Sequence, residues 1–331
     1  MSGNAPAKDL DIVATGPVDP AAVAVLAPYG NFVVAPDGSE ATLLPLMENA
    51  VGLVVRGGGV ATRAMILGAH RLRVIGRSGA GYDSVDLTAA NERRIPLVYV
   101  PGTGARAVAE AAVTLILALA KNLSYWDQEV KAGNWRSRFQ STPKDIAGSV
   151  IGLVGLGNIG SALADLLRGF NARVLAYDPL VSLKKARQYG VELTGLDHLL
   201  QISDFVSLHA PLTPETRGMI NRTTLGLMKP GAFLINLARG GLIESMDVLH
   251  EFLKNGRLGG AALDVFEPEP PDHNHPIFQL KNLIASPHAL GMTEGAMQQI
   301  FKSMADDMAA VLEGRRPRFV VNPEVLAGIP Q

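Results

Sequence analysis

The chain has 331 residues and a mass of 35.0 kDa, a length that points to two domains. Its 30 Lys and Arg against 31 Asp and Glu leave a net charge of −1, which provides no basic field for nucleic acid or an anionic membrane. With no cysteine, disulfides, thiolate metal sites and thiol nucleophiles are excluded.

Residues 1–11 carry no apolar leader, and the most apolar stretch, 111–120, is about half the ~20 residues needed to span a bilayer. A soluble, cytoplasmic protein is expected. Short β-branched runs then alternate with helical spacing, the pattern of a parallel sheet. Strands are expected at 11–15, 32–35, 52–56, 73–76 and 97–100, with helices at 20–27, 41–50, 62–69 and 86–93 between them. Pro101-Gly102-Thr103-Gly104 breaks this pattern. A helix over 106–122 follows, apolar on nearly every side and so buried on several faces. After a loop at 135–143, a second series places strands at 150–154, 173–177, 205–208, 232–236, 260–265 and 283–285. A closing helix over 293–312 is expected to cross back to the first domain, with no regulatory domain after it. The fold class is α/β, with two doubly wound parallel sheets: domain one is 1–103 plus 293–331, domain two 104–292.

The sharpest local signal is the spacing Gly155-x-Gly157-x-x-Gly160, straight after an apolar strand and opening a helix. Gly155 permits a tight turn, Gly157 lets backbone approach a pyrophosphate, and Gly160 lets helix and strand pack closely. The helix N-terminus then offers N–H groups to the anion. Asp178 lies 23 residues beyond Gly155, at the end of the next strand. A carboxylate there accepts ribose hydroxyls and repels a 2′-phosphate. NAD, rather than NADP, is the expected cofactor.

Ligands bind at the carboxyl ends of strands in an open α/β sheet, and three residues there suit hydride transfer to a 2-keto acid. Arg239 offers a planar bidentate cation for a carboxylate. His288 can donate and accept a proton near neutral pH. Glu269, against the other ring nitrogen, would fix the tautomer and favour the charged imidazolium. Spacing alone does not single these three out. His273 and His275 suggest a metal site, but a solvated loop is the preferred reading and no metal is expected. His209 ends a strand at the edge suited to lining a cofactor cleft.

Together, Gly155–Gly160 with Asp178, His209-Ala-Pro-Leu-Thr-Pro-Glu-Thr216, Asn236-Leu-Ala-Arg239-Gly-Gly, Ala262-Leu-Asp-Val-Phe-Glu-Pro-Glu269-Pro-Pro and Ser286-Pro-His288 resemble the D-isomer-specific 2-hydroxyacid dehydrogenases. The likeness spans residues 50–312. Gly76-Arg-Ser-Gly-Ala-Gly81-Tyr-Asp83 and Lys131-Ala-Gly-Asn-Trp135 are most similar to the D-3-phosphoglycerate dehydrogenase branch, in a short form. The resemblance implies a flavodoxin-like substrate domain and a Rossmann NAD domain, with the active site in the cleft between them.

It further implies Arg239 as substrate-carboxylate binder, Glu269 as partner of the histidine and His288 as acid/base. Asp264 would meet the nicotinamide carboxamide, and Asn158, Ile159, Ala210, Leu237 and Ala238 would line the cofactor. Arg56, Arg77 and the loop Ser78, Gly79, Ala80 and Gly81 would bind substrate. A homodimer is implied, through the helix near 106–122 and the loop beyond it. Arg136 or Arg138 would then reach the neighbouring active site.

Tyr99 departs from the Asn that many relatives carry before Val-Pro-Gly, which bears on the substrate and not on the reaction type. The implied activity is NAD-dependent oxidation of a D-2-hydroxy acid, 3-phosphoglycerate ranking first. Reduction of glyoxylate, hydroxypyruvate or another small 2-keto acid is the alternative within enzymes. Formate oxidation needs no proton-transfer carboxylate, so Glu269 argues against it. An NAD(H)-sensing binding module of the same fold is the alternative from another class; turnover separates the two.

Overall fold

The computed structural model describes residues 9–327. The reading of a leaderless N-terminus therefore falls largely outside the described residues. Two compact units emerge, one formed by Met1–Gly104 with Met292–Gln331 and the other by Ala105–Gly291.

In the first unit, β1 (Asp11–Ala14), β2 (Asn31–Val34), β3 (Ala50–Val55), β4 (Val74–Arg77) and β5 (Leu97–Val98) form an all-parallel sheet. Its order, β2-β1-β3-β4-β5, is that of flavodoxin-like sheets. All six residues of β3 are buried, as expected where helices cover both faces. The closing helix Glu294–Leu312 lies across this sheet. Glycines make its approach possible: a Cβ on Gly76 would sit 2.3 Å from Met308 Sδ, and one on Gly52 would sit 3.2 Å from Met308 Cε.

The tail after that helix is stitched to the sheet edge by Asn322, which is 1% exposed. Its Oδ1 accepts from Leu97 N at 2.9 Å, while Nδ2 donates to Asn91 Oδ1 (2.8 Å) and Ile95 O (3.0 Å).

The second unit holds β6 (Val150–Val154), β7 (Arg173–Tyr177), β8 (Glu192–Leu193), β9 (Phe205–Leu208), β10 (Ala232–Asn236), β11 (Leu258–Leu263) and β12 (Leu283–Ala285). They too are all parallel, in the order β12-β11-β10-β9-β6-β7-β8. Counted within the unit, this is the doubly wound 3-2-1-4-5-6 order of dinucleotide-binding sheets with a seventh strand at the far edge. The order reverses between β6 and β9, so their adjacent carboxyl ends form the switch point where such sheets bind ligands.

Several element bounds differ from the sequence expectation, and three of the differences have a physical reason. The two-residue strand β8 is too short to show alternation. β11 begins at Leu258, not at 260, because Gly259 and Gly260 serve close packing: their Cβ atoms would meet Gly231 O at 2.7 Å and Asn282 O at 2.8 Å. The long helix ends at Ala120. Asn122 takes the left-handed conformation (φ 51°), and the chain turns by 60° into a second helix, Leu123–Lys131. Asparagine tolerates that region better than most residues, which explains a break that hydrophobic periodicity does not show. No single helix among the described residues is long and apolar enough to cross a membrane.

Replacing Asn322 by Ala strands the Leu97 N–H and the Ile95 carbonyl in a dry site. The variant should lose about 2 kcal/mol of stability, read as a lower denaturant midpoint at unchanged slope.

Candidate active site

The turn after β6 is built by exclusion of side chains. Gly155 has φ +101°, and a Cβ there would lie 2.8 Å from the carbonyl carbon and oxygen of His209, the residue that follows β9. At Gly160 a Cβ would lie 2.2 Å from Gly155 O, so the helix Asn158–Leu167 can begin only against a bare backbone. Gly157, by contrast, faces open space, with nothing within 4 Å of its Cβ position. That helix has no side-chain cap at Gly157, so no cap side chain competes for its first N–H groups, the arrangement that favours an anion. Asn158 and Ile159 form its first turn. Asp178 follows β7, and its carboxylate accepts from Leu156 N (2.8 Å) and Leu180 N (2.9 Å), tying the phosphate turn to the acid. Two tight glycine contacts, an open one and an acid held beside them fit a dinucleotide.

His209 flanks this turn. Its Nε2 is 2.9 Å from Ser207 Oγ, whereas Nδ1 is buried with no partner among the described residues. Burial pushes the imidazole down to about 4, so the ring is neutral at physiological pH. Ala210, half-buried, comes next in the chain.

The loop after β10 carries Leu237, Ala238 and Arg239. Leu237 is buried, while Ala238 and Arg239 are half-buried. The Arg239 guanidinium donates from Nη1 to Ala238 O at 2.7 Å. The loop is wedged onto the segment after β11: a Cβ on Gly240 would fall 2.0 Å from the Phe266 carbonyl carbon, and one on Gly241 would fall 2.0 Å from Glu267 Oε2. Arg217 closes the same junction through Nη1 to Glu267 Oε1 at 2.7 Å. Glycine at 240 is therefore what lets the Arg239 loop lie beside the stretch leading to Glu269.

Glu269 and His288 meet directly. His288 Nδ1 lies 2.9 Å from Glu269 Oε2 and 3.1 Å from Oε1, and Oε1 also accepts from Phe266 N at 3.1 Å. Both side chains remain partly exposed, 46% for the imidazole and 39% for the carboxylate, so the pair is reachable from solvent. His288 has φ 55°, uncommon for a residue with a Cβ and often a mark of function. Asp264 holds that turn in place. It is 3% exposed, and its carboxylate accepts from Ser286 Oγ (2.6 Å), Ala289 N (3.1 Å) and Leu290 N (3.3 Å).

In the first unit, Arg56 follows β3 and Arg77 ends β4, at the carboxyl edge of that sheet. Arg56 Nη1 donates to Pro17 O (2.6 Å), and its guanidinium lies 5.7 Å from the centre of the Phe301 ring. Arg77 Nη1 donates to Val55 O (3.4 Å) and Ser78 O (3.3 Å). The loop 78–81 is bonded to β5's end through Val100 N to Gly79 O, and Tyr99 packs edge-on against Tyr82 with centroids 6.0 Å apart. In the second unit, the Arg138 guanidinium stacks over Trp135 and Phe139 of its own loop. His275 caps a short turn, accepting from Ile277 N and pairing with Asp247 at 3.0 Å.

Sequence reasoning missed the side chains that shape the site from beneath: Asn236, Ser286, Arg217 and the anchoring role of Asp264. Asn236 and Ser286 stood inside quoted motifs. A short polar residue at the end of an otherwise apolar strand was the available signal.

Residues 113–289 match the family model for the NAD binding domain of D-isomer specific 2-hydroxyacid dehydrogenases. The chain is 38% identical over 322 residues to the D-3-phosphoglycerate dehydrogenase of Methanocaldococcus jannaschii, covering 97% of this chain and 60% of that protein. Against the D-3-phosphoglycerate dehydrogenase of Archaeoglobus fulgidus it is 37% identical over 271 residues, covering 82% and 51%. It thus spans only about half to three fifths of these relatives. Among solved structures, the TT0316 protein of Thermus thermophilus superposes with a TM-score of 0.87 at 32% identity, covering 94% of this chain and 100% of that one. A D-lactate dehydrogenase from Aquifex aeolicus, complexed with NAD and lactic acid, superposes with a TM-score of 0.84 at 27% identity, covering 96% and 98%. The glycine turn with its acid, the Glu269–His288 pair and these likenesses agree: the chain belongs to the D-isomer specific 2-hydroxyacid dehydrogenase family.

Proposed function

We propose that this protein interconverts a D-2-hydroxy acid and its 2-keto acid with NAD as hydride carrier. The observation that carries the reading is the 2.9 Å contact between His288 Nδ1 and Glu269. With Nδ1–H donating to the carboxylate, Nε2 is the nitrogen left to move a proton to or from the substrate oxygen. Arg239 binds the α-carboxylate through its planar guanidinium. Arg56, Arg77 and the backbone of Ser78, Gly79, Ala80 and Gly81 bind the rest of the substrate.

The dinucleotide, when bound, supplies a nicotinamide ring that gives or takes a hydride. Gly155, Gly157, Gly160 and the helix start at Asn158 and Ile159 hold its pyrophosphate, and Asp178 accepts its ribose hydroxyls. Leu180, two residues beyond that acid and 94% exposed, offers an apolar face for a purine. Ala210, Leu237, Ala238 and Asp264 line the remainder. A neutral His209 beside the phosphate turn adds no charge there.

The D-3-phosphoglycerate dehydrogenase relatives support 3-phosphoglycerate as the first candidate substrate. The Tyr99–Tyr82 pair against the loop 78–81 favours a second reading, a smaller acid such as glyoxylate or hydroxypyruvate. A homodimer in the cytoplasm completes the proposal. Leu123, Val130, Trp135 and Phe139, each more than half exposed within one short segment, support a self-association face, from which Arg136 or Arg138 would reach the partner.

The test is NADH oxidation against a panel of 3-phosphohydroxypyruvate, hydroxypyruvate, glyoxylate and pyruvate, with NADPH in parallel. Turnover with NADH is expected, and none with any of the four sinks the reading. Arg239→Ala and His288→Ala should each lower kcat/KM by at least about a hundredfold, roughly 3 kcal/mol; near-native turnover in either removes the assigned role.

Glu269→Ala removes the carboxylate that holds His288 Nδ1 at 2.9 Å and so frees the ring to rotate. Its kcat/KM should fall by at least about tenfold, and native turnover in the folded variant would contradict the pairing.

Because burial holds the folded-state imidazole of His209 near 4, below its ordinary value of about 6.5, its neutral form stabilises the fold above that ordinary value. The contribution is lost as pH falls from about 6.5 toward 4. Across this window the wild type should lose on the order of 1 kcal/mol per pH unit more than His209→Gln. Equal slopes in denaturation series would rule this out.

A further inference from the structure

We propose that Asn236 is a positioning residue for Arg239, setting the backbone from which the guanidinium reaches the substrate carboxylate; this rests on the reaction proposed above. Asn236 is the last residue of β10 and is completely buried. Its carboxamide turns forward onto its own loop. Oδ1 accepts from Ala238 N at 3.0 Å, and Nδ2 donates to Arg239 O at 2.9 Å. Its backbone carbonyl meanwhile accepts from Asp264 N at 3.0 Å, so the residue is itself fixed to β11's end.

One short side chain therefore clamps both an amide and a carbonyl of a loop only three residues long. From the other side, the missing Cβ of Gly240 lets the chain close onto Phe266. Arg239 sits between these two restraints in an extended conformation, with φ −147° and ψ 140°. A guanidinium on a long, rotatable stem is aimed only if its Cα is fixed, and bidentate pairing with a carboxylate is sensitive to small displacements.

Asparagine is the residue type the clamp needs. Asp would keep the acceptor facing Ala238 N but would set a second acceptor against Arg239 O. Ser can reproduce the bond to the amide two residues on, more weakly. Ala keeps neither. The expected order of function is therefore Asn, then Asp and Ser, then Ala.

A purely structural role would lower the melting temperature of Asn236→Ala yet leave the folded fraction with native constants. A positioning role raises KM for the 2-keto acid that the wild type reduces fastest in the panel, on the order of tenfold to a hundredfold. KM for NADH should stay within about twofold, and Asn236→Ser should recover part of the loss. Should Asn236→Ala not fold, Asn236→Ser and Asn236→Asp supply the same comparison against wild type. A folded variant with native KM for the keto acid, or with KM for both ligands raised alike, overturns the proposal alone. A wild type that reduces no member of the panel overturns the proposed reaction and this inference with it.

Discussion

A buried carboxylate organises the carboxyl edge of the second unit's sheet. Asp264 is almost wholly removed from solvent, where a charge without hydrogen bonds is costly, and it finds its donors in Ser286, Ala289 and Leu290. Those three residues surround His288. Satisfying the carboxylate and holding His288 at φ 55° are the same event. The position of the imidazole is thus coupled to the requirement that a buried anion be solvated by protein.

The parallel sheet brings further side chains to the same edge. β10, β11 and β12 are neighbours, all running the same way, so the chain leaves each of them at one edge. Arg239 follows β10, Glu269 follows β11 and His288 follows β12. Residues separated by 19 and 30 positions are gathered without any of them needing to contact another within its own element. Glycine then removes the remaining distance: Gly240 admits the Phe266 backbone, much as Gly155 admits the backbone of His209 at the switch point. Close approach of main chain to main chain recurs as the means by which this unit assembles its edge.

Much of this was legible in the amino-acid sequence because the signals were local. The apolar run 150–154 followed by three spaced glycines announces a strand, a turn and a helix, and each has a steric reason in the structure. Buried strands such as β3 read as continuous apolar runs because both faces are covered. What escaped notice depends on partners distant in the chain or on single backbone angles. β8 exists because β7 offers it an edge, and the bend at Asn122 is one residue's conformation. Arg239, Glu269 and His288 were distinguishable from surface charges only through resemblance, since no periodicity links them.

Asn236 shows where that boundary lies. In the sequence it is a polar residue closing the strand Ala232–Asn236, a common place for one. The structure shows that both ends of its carboxamide are occupied by the loop bearing Arg239. An asparagine kept only to end a strand would be exchangeable for serine or aspartate, whereas one that must donate and accept at once is not. Asp264 makes the parallel case on the adjacent strand, and Asp264 N to Asn236 O joins the two. The loops that carry the guanidinium and the imidazole are thereby anchored to a single hydrogen-bonded pair of buried polar residues.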